Sequence, residues 1–435
     1  KFGNIAPISN IIDDGYGNLN YRRFGIVDVS LGLAKFPHNY GNDAESIYTI
    51  ENPYTFRIPA SPTSEHIDVS TLRDNYALRA KFTPGDRLTI TTSLSVENRE
   101  GRRPITVESL TDESTTAIIE ITEPVDYSTA SIDLGLEYFD DTIDMQLNNN
   151  LQIFTNTRRD EIIWDNPYQT ECINLVLVDG EDGEDGECVE ERPAFGRAKV
   201  ADDYTVHTLS FRPTIKISKN IRSINTLSYS KVTNTVNLAP LTTVTGVGEG
   251  FQKDFLDPDV RTLTVSSILS TRPLSDVSLN IKFRYNTHEN DTPEIEKPPA
   301  YVMLDGSSAK YPRIARYTSY LTRTLTVDGN WSIINGLSLD AGLENKDTIR
   351  REREVEDENV KSFFFSLHPV ISGRASGILG YRFDMKRGDY DPTYYKTIYD
   401  PDPKNDVDQH PLLRAFDLSE TDTHTVKAGI DFSPL

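Results

Sequence analysis

Residues 123–165 read EPVDYSTASIDLGLEYFDDTIDMQLNNNLQIFTNTRRDEIIWD, and this stretch decides the fold. Ile132, Leu134, Leu136 and Tyr138 fall on one face, with Asp133, Gly135 and Glu137 on the other. Asp140-Asp141-Thr142 turns the chain. Ile143, Met145, Leu147, Leu151 and Ile153 resume the apolar face, opposite Asp144, Gln146, Asn148, Asn150 and Gln152. Period two on both sides of a tight turn predicts a long β-hairpin. The polar face carries Asn, Gln, Asp and Gly rather than the Lys/Glu/Thr mix of a surface sheet. An apolar band about ten residues long, backed by so wet a face, is what a barrel strand crossing a bilayer needs.

The pattern repeats outward in both directions. Val27 to Leu33 alternate, as do Leu78 to Phe82 and Leu88 to Val96 around Pro84-Gly85-Asp86. Beyond the hairpin, strands are expected near 203–217 and 221–231, then from Leu263, Val277, Leu321, Leu337, Phe363, Leu379 and Val426. Residues 98–124, 156–200, 232–258, 288–312, 345–358 and 387–421 read as polar loops. The result is about fourteen strands with short turns on one side and long loops on the other, the asymmetry of an outer-membrane barrel. Phe82, Tyr138, Phe139, Trp331 and Phe432 stand at turn-side ends, where interfacial aromatic rings belong. The expected fold is all-β: a large antiparallel transmembrane β-barrel forming a single domain over residues 1–435, with 156–200 as a large extracellular loop insertion. The alternative is a secreted array of β-sandwiches, but these would repeat at about 100 residues with evenly spaced turns.

Composition limits the function. Of 435 residues, 37% are hydrophobic, and no apolar run is long enough for a transmembrane helix. Barrel strands dilute their apolar residues one in two, so this leaves the membrane open. The net charge of −22 argues against nucleic-acid binding. The chain begins at Lys1 without Met or a signal sequence and stops at Leu435 on what reads as a strand entering a turn. A barrel fragment, incomplete at both ends, is therefore expected.

Motifs that carry chemistry are sparse. Cys172 and Cys188 are the two cysteines, and there is no Cys-x-x-Cys-His. The chain cannot itself attach a c-type haem, and two cysteines do not make a zinc site. In an oxidising compartment a disulfide at the base of the largest loop is expected. Inside it, Asp179, Glu181, Asp182, Glu184, Asp185 and Glu187 alternate with glycines. They are a weak calcium candidate, lacking EF-hand spacing, and read more simply as a solvated acidic loop. Gly246, Gly248 and Gly250 lack the βαβ context of a dinucleotide site. No catalytic constellation appears, so no enzyme activity, cofactor or metal is assigned to this chain. The wet strand faces remain. Asp133, Glu137, Gln146, Asn148, Asn150, Gln152, Asn280, Asp340 and Glu344 are expected to point into a lumen. Alternation alone leaves open whether they line a water-filled pore or touch a protein inside it.

Three segments carry a resemblance. Glu123-Pro124-Val125-Asp126-Tyr127 opens a strand whose hairpin continues to Trp164-Asp165-Asn166-Pro167. His410 to Leu418, HPLLRAFDL, precedes the last strand. A charged loop and strand pair from Leu339 ends in Arg387-Gly388-Asp389-Tyr390. From about Tyr21 onward the chain resembles the MtrB/PioB family of decahaem-cytochrome-associated outer-membrane proteins. Glu420-Thr421-Asp422 stands where family members have Arg-Asp-Arg. The resemblance implies a barrel of about 26 strands in a Gram-negative outer membrane, in contact with lipid bilayer and lipopolysaccharide. It implies a sheath around a periplasmic multihaem c-type cytochrome, with haem c carried by that partner and electrons passing to an extracellular cytochrome. The family's N-terminal Cys-x-x-Cys segment and last strands are not in this sequence. An open porin or solute uptake channel is the alternative reading.

Overall fold

Alternating side chains let each backbone satisfy its N–H and C=O groups on neighbouring strands while segregating two faces. A computed structural model describes residues 14–41, 43–110, 116–157, 161–180, 183–238, 255–297, 313–315, 317–351, 353–391 and 418–432. Every regular element among them is a strand. Fifteen form one antiparallel sheet in strictly sequential order. They are β1 (Gly15–Arg23), β2 (Val27–Gly41), β3 (Val69–Phe82), β4 (Leu88–Leu110) and β5 (Thr116–Phe139). β6 (Ile143–Asn156), β7 (Tyr204–Ser218), β8 (Ile221–Asn234), β9 (Asp259–Leu274) and β10 (Val277–Asn290) follow. β11 (Ser319–Ile334), β12 (Leu337–Arg351), β13 (Val355–Ser372), β14 (Ala375–Tyr390) and β15 (Thr421–Phe432) complete it. Among the described residues β1 and β15 are not paired with each other.

The deciding hairpin forms as read, with Leu147 opposite Leu136 and Asn150 opposite Asp133. Its turn is held by Asp140, whose Oδ1 accepts the Thr142 and Ile143 N–H groups and the Thr142 hydroxyl, each at 2.8 Å. These bonds stabilise the ionised form and hold this carboxyl down at about 2. At the β11–β12 turn, Gly336 takes a φ of +86°, a conformation costly for any residue with a Cβ.

The structure departs from the sequence reading in two ways. First, the sheet has fifteen strands, because Gly15–Arg23 pairs with β2, Leu19 facing Leu31. Its apolar side carries little beyond Gly17, Leu19 and Tyr21, too short a signal to separate from a turn-rich segment. Second, residues expected as loops are strand. β4 and β5 stay in unbroken register up to Leu110 opposite Thr116, through the span 98–124. Asn345–Arg351 likewise continues β12. Above the lipid a strand has no apolar face to maintain, so periodicity vanishes while backbone pairing persists.

The expected insertion forms a second hairpin, Glu161–Gly180 with Gly183–Lys199. It joins Thr55–Arg57 and Thr49–Asn52 in a four-stranded sheet, Ile163 and Trp164 running parallel to Thr55 and Phe56. The one buried apolar cluster found among the described residues lies here: Tyr48, Phe56, Val107, Ile121, Ile162, Trp164 and Val200.

Candidate functional site: the inner wall and its rim

Cross-strand partners share a face, so the registers assign every side chain of the wall to one side or the other. One face is a chain of apolar pairs: Leu19–Leu31, Leu31–Leu78, Leu78–Leu94, Leu94–Ile132, Leu136–Leu147 and Leu147–Phe211. It resumes as Phe211–Leu227, Leu227–Val265, Val265–Tyr285, Phe283–Leu325, Val327–Leu343, Leu343–Phe363 and Phe363–Phe383. These side chains are uncovered: Leu134 is 53% and Leu343 61% exposed. Phe82, Trp331 and Phe432 are exposed at its turn-side edge.

The opposite face is mainly polar and internally hydrogen-bonded, interrupted by the Ile224–Ile268 pair, the Val206–Val232–Val260 row and Phe364. All nine residues expected to face a lumen lie on it by register. Asp133 accepts from Ser93 Oγ (2.8 Å) and Asn150 Nδ2 (2.6 Å), and Gln146 reaches Glu137. Asn280 Nδ2 donates to Asp328 at 2.8 Å, and Lys282 lies 2.5 Å from the same carboxylate. Asp340 accepts from Asn330 (2.6 Å) and sits 2.9 Å from His368 Nε2. Glu344 accepts from Thr326 Oγ1 (3.1 Å) and Arg382 (3.0 Å), and the Arg382 guanidinium lies over the Phe364 ring. Asn148 and Gln152 stand opposite Gly135 and Ser131 in the same rows.

The sequence reading singled out carboxylates and amides and missed the cations on this face. Arg22, Arg79 and Lys81 line a groove of about 570 Å³ with Asp28, Asp133 and Asn148. Arg22 pairs with Asp28, whereas Arg79 and Lys81 have no ion-pair partner among the described residues. Arg212 and Arg284 share the face, opposite Gln146 and Ser266. The signal was available: Arg79 and Lys81 flank Ala80 in the same parity that puts Leu78 and Phe82 outside. The inner wall therefore presents both signs of charge.

Above the lipid band the wall carries a rim module. Asp165 fastens it: its carboxylate accepts Arg57 Nη1 and the Ile58 N–H, both at 2.8 Å, and its carbonyl accepts the Tyr48 hydroxyl at 2.9 Å. Burial, then the neighbouring Asp165 charge, pushes the Tyr48 phenol up. Glu123, also buried, accepts Arg103 Nε at 2.5 Å and the Tyr127 hydroxyl at 2.7 Å. Tyr127 packs at a tilt on Phe154, which stacks on Tyr204, with centroids 5.3 and 4.8 Å apart. The two sequence motifs EPVDY and WDNP thus supply the buried acids of the rim.

The disulfide candidates and the acidic run fall in the second hairpin. Its backbone register puts Cys172 opposite Glu191 and Cys188 opposite Leu175, and their side chains lie outside the described residues. So do those of Asp179, Glu184, Asp185 and Glu187, and all of Glu181 and Asp182. Gly246 to Gly250 and residues 410–417 also lie outside them. Among the described residues no cluster of His, Cys, Asp or Glu has the arrangement of a metal site.

An antiparallel wall with one apolar face, one hydrogen-bonded polar face, short turns and long loops defines an outer-membrane β-barrel protein. The chain belongs to the MtrB/PioB family, described as outer membrane beta-barrel porin, which matches residues 9–435. Its place is the Gram-negative outer membrane, with the apolar face toward lipid and the polar face toward the lumen. Among solved structures it is similar to the ferric-catecholate import receptor Fiu of E. coli K12 in its open form, at 11% identity and TM-score 0.42 over 86% of this chain and 63% of that one. It is similar to the siderophore receptor PiuA of Acinetobacter baumannii at 10% identity and TM-score 0.45, over 86% of this chain and 56% of that one. A Pseudomonas aeruginosa FadL homologue matches at 12% identity and TM-score 0.29, over 83% and 82% of the two chains. The chain thus spans about three fifths of the length of the first two. No curated protein matches it.

Proposed function

We propose that this chain is the non-enzymatic sheath of a trans-outer-membrane electron conduit, enclosing a multihaem c-type cytochrome and insulating its haem column from lipid. The observation that carries the reading is the mainly polar inner face, hydrogen-bonded laterally from Ser93 through Asp133 to Asn150 and from Ser270 through Asn280 to Asp328. Such a wall can grip a soluble protein along its length through polar contacts, with only small apolar islands such as Ile224–Ile268. The mixed charge of that wall, with Arg79 and Lys81 beside Asp133, suits a partner surface that is itself mixed. The chain has no haem-attachment motif, so the iron belongs to the partner, and an extracellular multihaem cytochrome would exchange electrons with it at the loop side.

The test is a visible spectrum of the natively purified complex. Haem absorbance should travel with the barrel, and a colourless barrel with ion conductance sinks the sheath. The latter result favours an open porin, the reading that the family description itself suggests. Neutralising Asp133 and Glu137 together should lower the yield of the complex at low salt, where charge contacts are least screened. Unchanged yield removes those two carboxylates from the contact.

A further inference from the structure

We infer that the rim module stands inside the circumference of the barrel and narrows its outer mouth, acting as a size-limiting ledge. The inference starts from parity. β4 and β5 keep one register from Leu88 opposite Tyr138 to Leu110 opposite Thr116, with no bulge. Ser93 and Asp133 fix the odd-numbered positions of both strands as the lumen face. Going up the same pair, Arg103 faces Glu123, Ile105 faces Ile121 and Val107 faces Ile119, all odd.

These are the side chains that the module covers. Val107 and Ile121 are buried in the cluster of Tyr48, Phe56, Ile162, Trp164 and Val200, with Ile105 and Ile119 packed against it. On the even-numbered outer side Thr122 and Pro124 are covered near the base, but toward the tip Thr106, Ile118 and Glu120 are exposed, Ile118 at 73%. The module therefore lies on the lumen side of the extended hairpin. It is also tied across the rim. Tyr48 and Arg57 come from the β2–β3 connection and Trp164 and Asp165 from the β6–β7 connection. Lys199 Nζ donates to the carbonyl of Asn237, beyond β8. Contacts from three connections and one wall extension fix it in place rather than leaving it a free loop. Gly196 lets it close, since a Cβ there would fall 2.2 Å from Trp164 Cζ2.

Pore width at the narrowest ring sets which solutes pass. The ledge rests on the barrel assignment, not on the cytochrome, so its test uses the full-length barrel stripped of partners and inserted in planar bilayers. Polyethylene glycols of graded size are added from one side at a time. In the wild type, polymers from the loop side should stop entering at a smaller size than polymers from the turn side. A Trp164→Ala/Asp165→Ala variant should remove that asymmetry and raise single-channel conductance by about twofold or more. Heat-modifiable migration on gels checks that the variant barrel is folded. Equal polymer limits from both sides of the wild type, which needs no variant, overturn the ledge. So does a folded variant, its 161–199 hairpin newly open to protease, that is indistinguishable from wild type.

Discussion

The wall and the rim module use the same secondary structure and bury almost opposite things. In the wall, Leu134, Leu343 and Phe363 stand uncovered on one face, and the other face is mainly polar. In the module, Phe56, Ile162 and Trp164 are at most 3% exposed. The wall thus borrows its apolar environment from the membrane and only segregates side chains. The module, standing in water, must supply its own interior. The difference teaches where sequence changes matter: in the wall by face and depth, in the module by volume and hydrogen-bond partner.

Four changes sharpen or break this contrast. Trp164→Ala removes the largest side chain of the module's interior and should cost about 3–5 kcal/mol there. Limited proteolysis of 161–199 should rise while heat-modifiability of the barrel is unchanged; a barrel that unfolds with it would make wall and module one unit. Leu134→Arg places a charge against lipid and should cost about 2–4 kcal/mol near the bilayer midplane. Denaturant unfolding of lipid-inserted barrel reads this, and a neutral result would mean that the leucine face does not meet lipid. Asp165→Ala strands the Ile58 N–H, leaves Arg57 only its longer pairing with Glu51, and should cost about 1–3 kcal/mol. It should again appear as protease sensitivity at the rim, with wild-type resistance refuting the fastening role. The smallest effect is a pH dependence at the Asp140 turn. Its carboxyl is held at about 2, below its usual 3.8, so its contribution is complete above the usual value and lost as pH falls through about 2. Urea midpoints at pH 5 and pH 2 should differ less in Asp140→Ala than in the wild type.

The wall was legible because lipid imposes strict alternation: Leu134 and Leu147 could be placed outside, and Asp133 and Asn150 inside, from parity alone. The rim was not. Arg103, Ile105, Val107 and Ile121 lie in a segment that reads as polar loop, since its inner face is covered while the outer face toward the tip meets water. Trp164 and Asp165 stand in a motif, but the motif does not say that they meet Tyr48 and Arg57. Those contacts join residues 107 to 117 positions apart, beyond any local pattern. The lumen cations Arg79 and Lys81 obey the same alternation, but a lone Arg or Lys between apolar positions reads equally as a solvated strand end.

The sequential strand order has a consequence for how the protein assembles. Each strand of the wall needs only the one just before it, so the sheet can zip up hairpin by hairpin with small loop-closure cost. The Tyr48–Asp165 bond is of another kind, spanning 117 positions and uniting segments on opposite sides of four consecutive strands, β3 to β6. It cannot form until those strands have been laid down. Maturation should therefore run from ribbon to crown, and a pulse-labelled chain caught early in insertion should already resist extraction while its crown remains open to digestion.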